Sequence, residues 1–107
     1  YAIACSRRKS GIADERCAEL FWLEESFCTA ACPAGFYDAA KGKKITASLG
    51  DGKKIKKYLE QFLRSENERE RAEAYASALS FGTALIAKHG IARVFAAAAG
   101  TEDLSLE

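Results

Sequence analysis

The four cysteines are the residues whose type and spacing most directly predict a chemistry. Cys5, Cys17, Cys28 and Cys32 all lie in the first third of the chain. No two of them form a Cys-x-x-Cys pair, the spacing on which zinc ribbons, thioredoxin-like redox sites and haem attachment depend. An even number of cysteines in a small chain favours structural disulfides and an oxidising compartment, with buried thiols or a metal or reactive site as alternatives. We therefore expect disulfides among these four residues, and no metal or cofactor.

The pairing of the cysteines depends on whether residues 14–32 form one continuous helix. The segment contains no glycine or proline, which predicts a helix. On one straight helix Cys17 and Cys28 would lie about 16 Å apart, too far for a bond. We therefore prefer a break at residues 24–26, and we expect at least one disulfide that includes Cys5. The connectivity stays open.

A run of lysines is the second chemical signal. Residues 41–57 contain seven lysines and one acidic residue, Asp51. Such a density of positive charge can bind phosphate groups or acidic surfaces. Lysines on the polar face of a helix also simply keep it soluble, no aromatic residues interleave with them to stack on bases, and the acidic residues within 66–73 could screen them. The sequence predicts either a solvated helix face or a binding patch formed by Lys43, Lys44, Lys53, Lys54, Lys56 and Lys57.

Groups suited to catalysis are few. The single histidine, His89, precedes Gly90 at a predicted helix C-terminus, where a cation is favoured. Glu24, Glu25 and the acidic residues within 66–73, which alternate with arginines, are typical of a salt-bridged surface. The sequence has no phosphate-binding loop, zinc-protease motif or serine-hydrolase motif. We predict no catalytic residue and favour a non-catalytic protein.

The elements that would position these residues are mostly helices. Alternation of Ile45, Ala47 and Leu49 before a glycine-rich turn predicts a short strand or a small hairpin. Beyond that turn, apolar residues at steps of three and four predict a helix that buries Leu59 and Phe62.

The C-terminal half contains two further predicted helices. Ser65 and Glu68 form a capping-box pattern at the start of one that extends toward His89. A second, short helix follows Gly90 and ends near Gly100. The predicted fold class is therefore mostly α: a small helical bundle, stapled near its N-terminus by disulfides, with a short strand or hairpin in its N-terminal half.

The composition indicates one globular domain. The 107 residues are 49% hydrophobic and 29% charged, with a net charge of +1, so neither a disordered chain nor a uniformly basic protein is expected. Charged residues interrupt the apolar stretch at 83–100, which predicts no membrane span. The predicted domain covers residues 1–105, and residues 106–107 resemble the remnant of a removed tag.

The favoured function is a protein-binding domain of the inhibitor, immunity or effector kind. The predicted disulfides and a start at Tyr1 without methionine indicate a secreted or periplasmic protein whose partner is another protein. The first alternative is a binder of anionic surfaces or nucleic acid that uses the patch between Lys41 and Lys57. The second is a small toxin or enzyme with an unrecognised motif. The oligomeric state is not predicted.

Overall fold

The computed structural model describes residues 2–31 and 38–106, and within them the chain forms seven α-helices. They are α1 (Ala2–Ser10), α2 (Asp14–Glu19), α3 (Phe21–Ala31), α4 (Ala39–Leu49), α5 (Gly52–Phe62), α6 (Glu68–His89) and α7 (Ile91–Ala98). Helices account for 79% of this part of the chain, and it contains no strand. The prediction of a small helical bundle is confirmed, and the prediction of a strand or hairpin is wrong.

Helix α6 is the central element of the bundle, and α3, α4, α5 and α7 all pack against it. A Cβ atom at Gly82 would collide with the carbonyl oxygen of Ser26 on α3, and one at Gly42 on α4 would collide with that of Ala76. The helices can approach this closely because most of the buried residues of α6 are small: Ala74, Ala76, Ser77, Ala78 and Gly82.

Residues 45–49, which were predicted to form a strand, belong to helix α4. Ile45 and Leu49 are half-buried, whereas Ala47 between them is exposed. A strand would place all three on one face, but in a helix residues three or four apart share a face and residues two apart do not. The Asp38 carboxylate caps the helix by accepting a hydrogen bond from the Lys41 amide at 3.1 Å. The alternation in the sequence was therefore accidental.

The chain between α2 and α3 bends at Leu20, not at residues 24–26. Leu20 has φ −94° and ψ 2°, outside the helical region, and α3 begins at the next residue. Its side chain is buried in the core. The break therefore lies where it directs an apolar side chain inward.

No disulfide joins Cys5, Cys17 and Cys28, the three cysteines that the structure describes. Cys32 lies outside the described residues. The prediction of a fold stapled by disulfides is therefore wrong. The three cysteines lie on α1, α2 and α3, half-buried at Cys5 and Cys17 and exposed at Cys28.

A buried arginine, not a disulfide, fastens the N-terminal helix to the bundle. Arg7 donates from Nε and Nη2 to the carbonyl oxygen of Ala98 at 3.2 and 2.8 Å. Its Nη1 lies 3.4 Å from Glu24 Oε2. Arg7 thus caps the C-terminal end of α7 and binds α3 at the same time.

The C-terminal half matches its prediction, apart from one cap. Gly90, with φ 89°, ends α6 as expected. The capping-box prediction is wrong, because Asn67 accepts the hydrogen bond from the Glu70 amide, and Ser65 Oγ instead accepts one from the Asn67 amide. After α7, an irregular segment over residues 101–106 lies along the bundle, and its two leucines pack against the core: Leu104 and Leu106.

Candidate functional site

The seven lysines between residues 41 and 57 lie on two consecutive helices, which we call the basic hairpin: α4, α5 and the two residues between them. Lys41, Lys43 and Lys44 are on α4, and Lys53, Lys54, Lys56 and Lys57 are on α5. Both helices pack on α6. Helix α5 turns Gly52, Ile55 and Leu59 toward the core. Its lysines lie at other positions: Lys53, Lys54 and Lys57 are exposed, and Lys56 is half-buried.

Lys41 and Lys56 of the basic hairpin contact residues of other helices. Lys41 Nζ lies 3.0 Å from Glu73 Oε1 on α6. The hydrogen bond from Lys41 holds the pKa of the Glu73 carboxyl below its ordinary value, and Arg69 acts in the same direction. Lys56 Nζ lies 5.7 Å from the centre of the Trp22 ring, a cation–π contact. The predicted screening by acidic residues of α6 therefore reaches Lys41.

Other lysines of the basic hairpin are exposed and carry uncompensated charge. Lys43, Lys44, Lys54 and Lys57 are exposed and form no ion pair with any residue that the structure describes. All four lie within the first two turns of their helices. The hairpin thus presents a net positive surface in a protein that is nearly neutral overall.

The lysines of the basic hairpin also oppose the helix dipole. The N-terminal end of a helix favours acidic side chains, by about 0.3 to 1 kcal/mol each. Helices α2 and α6 follow this rule, with acidic residues in their first turns. The first turns of α4 and α5 contain no acidic residue, and that of α5 contains Lys53 and Lys54 behind the capping Asp51. Like charges one turn apart, such as Lys53 and Lys57, are unfavourable as well.

Two adjacent carboxylates, Glu24 and Glu25, lie on α3. Glu24 pairs with Arg7, as described above, and Glu25 hydrogen-bonds to Tyr75 of α6. Burial raises the pKa of the Glu25 carboxyl, and the charge of Glu24 adds to this, while the Tyr75 hydrogen bond and Arg64 lower it. These contacts tie α3 to its neighbours, so we assign both carboxylates a structural role.

Replacing Glu25 with glutamine should stabilise the protein at neutral pH. Because folding raises its pKa above the ordinary 4.5, the folded state prefers the protonated form, and ionisation lowers stability as the pH rises past that value. Glutamine removes this penalty and still accepts the Tyr75 hydrogen bond. Urea denaturation should show the gain at neutral pH and its disappearance in acid. Glu24→Gln, which loses the Arg7 ion pair, should destabilise the protein at neutral pH. A loss of stability in Glu25→Gln as well would contradict the prediction that ionised Glu25 lowers stability.

A cavity beside Lys56 was not predicted from the sequence. It lies between the start of α3, helix α5 and the irregular segment 101–106, and its volume is about 220 Å³. Its residues come from distant parts of the chain and form no sequence motif. The only signal was the single tryptophan, Trp22, within an apolar run.

Neither a metal-binding cluster nor a helix able to span a membrane occurs in residues 2–31 and 38–106. No group of three or more histidine, cysteine or acidic side chains is placed to hold a metal ion there. None of the helices in that part of the chain combines the length and the apolar character needed to cross a bilayer.

Comparisons of the chain with protein-family models, with curated proteins and with solved structures found no match.

Proposed function

We propose that this chain is a non-catalytic binding domain that uses the basic hairpin to hold an acidic surface of a partner protein. The observation that carries the proposal is the set of exposed lysines in the first two turns of α4 and α5 that form no ion pair with any described residue: Lys43, Lys44, Lys54 and Lys57. Lys54 opposes the dipole of α5, and Lys54 and Lys57 repel each other one turn apart, so they lower the stability of the isolated protein. An acidic partner would neutralise these charges. Residues that lower stability locally are expected at functional sites.

The chemistry of the basic hairpin favours carboxylates on a folded partner over phosphates of a nucleic acid. Lysine binds both carboxylates and phosphates, so what distinguishes the two partners is whether the basic hairpin offers aromatic rings to bases. Its aromatic residues, Tyr58 and Phe62, are half-buried and pack against each other, tilted, with ring centres 5.0 Å apart, so they are not presented to bases. Nucleic acid is therefore the alternative outcome of the test.

The compartment is not part of this proposal. The expectation of a secreted or periplasmic protein depended largely on disulfides, and the described cysteines do not form them. Charge complementarity operates in any compartment, so the proposed interaction does not require export.

Charge reversal in the basic hairpin tests the proposal. The variant Lys43→Glu/Lys54→Glu/Lys57→Glu changes three exposed residues without ion pairs and leaves Lys56 and Lys41 in place. The matched control, Arg8→Glu/Lys9→Glu/Arg93→Glu, makes the same change in net charge at exposed positions elsewhere. The probes are poly-glutamate and a short DNA duplex, each measured over a range of salt concentrations. Circular dichroism and melting temperature verify that both variants fold.

The wild-type domain should bind poly-glutamate at low salt, and the hairpin variant should lose at least about tenfold in affinity, because each exposed contact contributes up to about 1 kcal/mol. The control should bind nearly as well as wild type. Equal losses in the two variants would show that only net charge matters and would overturn the proposal. Tighter binding to DNA than to poly-glutamate, with a steep salt dependence, would show that the partner is a nucleic acid and not an acidic protein.

A further inference from the structure

The cavity beside Lys56 has an apolar floor. Trp22 and Leu23 of α3 and Leu104 and Leu106 of the irregular segment contribute to its lining. The Trp22 ring is almost fully buried, with 5% of its surface exposed. The volume of about 220 Å³ equals that of about seven liquid water molecules, which limits a ligand to a small molecule.

The rim of the cavity is charged and carries an excess of acid. Arg16 is engaged by Glu19 at 3.3 Å and by Asp103 at 3.4 Å. Glu60 and Glu102 form no ion pair within the described part of the chain. Two cations thus face four carboxylates around the opening, which is formed by Arg16, Lys56, Glu19, Glu60, Glu102 and Asp103.

The ammonium group of Lys56 already lies against the tryptophan. Its Nζ is 5.7 Å from the centre of the Trp22 ring, within the range of a cation–π interaction. The face of the Trp22 ring is therefore suited to a cation. The Lys56 ammonium group is at the end of a flexible side chain and can move away from the ring. An incoming cation would gain the same ring face and, in addition, the unpaired carboxylates of the rim.

We propose that this cavity binds a small organic cation, a primary amine with a short apolar body, whose ammonium group replaces that of Lys56 over Trp22. The apolar body occupies the space between Leu23 and Leu104. Glu60 and Glu102 neutralise the charge. Lys56 and Glu60 belong to α5 of the basic hairpin, but the exposed lysines of the proposed docking surface do not line this cavity, so the two sites can be tested separately.

The tryptophan makes the proposal directly measurable. Trp22 is the only tryptophan in the chain, so indole fluorescence excited beyond the tyrosine band reports on this cavity alone. Titration with n-butylammonium should change that fluorescence saturably, with a dissociation constant in the millimolar range. n-Butanol, which has the same body without the charge, and butyrate, which has the opposite charge, should bind at least tenfold more weakly.

Variants at the rim separate charge recognition from simple filling of the cavity. Glu60→Gln/Glu102→Gln should weaken butylammonium binding about tenfold, whereas Glu66→Gln/Glu68→Gln, which removes two acidic charges elsewhere, should not. Lys56→Met should strengthen binding several-fold because the competing ammonium is gone, and Lys9→Met, which removes one exposed positive charge on α1, is its control. Melting temperatures establish that each variant is folded.

Three results would overturn the proposal. Equal binding of butanol and butylammonium would mean that the cavity recognises only apolar bulk. Weaker binding by Lys56→Met would mean that Lys56 contacts the ligand instead of competing with it. A wild-type fluorescence signal that does not saturate would mean that the cavity holds no amine.

Discussion

Replacing Leu59 with alanine should lower the free energy of unfolding by about 2 to 5 kcal/mol. Leu59 has no exposed surface and lies on the inner face of α5, within the apolar cluster that includes Ile55 and Leu63. Alanine would remove buried methyl groups and leave a cavity that the neighbouring helices can fill only in part. Urea denaturation monitored by circular dichroism measures the loss.

The control for that experiment is Lys57→Ala on the same helix. Lys57 is exposed, so its truncation should change stability by no more than about 0.5 kcal/mol. Phe62→Ala should fall between the two, because Phe62 is only half-buried. If Lys57→Ala destabilised the protein as much as Leu59→Ala, the buried face of α5 would be assigned wrongly.

Replacing Arg7 with methionine should lower the free energy of unfolding by a similar amount, about 3 to 5 kcal/mol. Methionine keeps most of the apolar stem but removes the hydrogen bonds to Ala98 and the ion pair with Glu24. The Ala98 carbonyl oxygen would then be left buried without that donor, and the Glu24 charge would lose its partner. Thermal and urea denaturation should both show the effect.

The neighbouring residue provides the comparison for Arg7. Arg8 is exposed on the same helix, so Arg8→Met should leave the melting temperature nearly unchanged. The double variant Arg7→Met/Glu24→Gln should lose less unfolding free energy than the sum of the losses in the two single variants, since both substitutions disrupt one ion pair. Fully additive losses would indicate that Arg7 acts through its bonds to Ala98 alone.

The sequence predicted the helices whose signals are local. Helix α5 follows from its apolar period, and the boundary between α6 and α7 follows from Gly90. Helix α1 could not be predicted, because Arg7 holds it to Ala98, a residue 91 positions away. Helix α4 was mistaken for a strand because three residues alternated by chance and the close contact of Gly42 with α6 cannot be seen in sequence.

The cysteine prediction failed for a different reason. It rested on how often small cysteine-rich chains form disulfides, which says nothing about where particular helices direct their side chains. The lysines of the basic hairpin were recognised because charge density is visible in sequence. Their opposition to the helix dipoles was not, since it depends on where α4 and α5 begin. The cavity at Trp22 was invisible because its walls are brought together only by folding.

The small residues of α6 affect how this chain can diverge during evolution. Exposed positions can change freely, but a side chain larger than hydrogen at Gly42 or Gly82 would push α4 or α3 away from the central helix. Distant relatives should therefore share a sparse arrangement of glycine, alanine and serine long after their overall identity has faded. A search keyed to that arrangement, with Gly90 as the fixed end of α6, is better suited to finding them than one weighted toward the lysines.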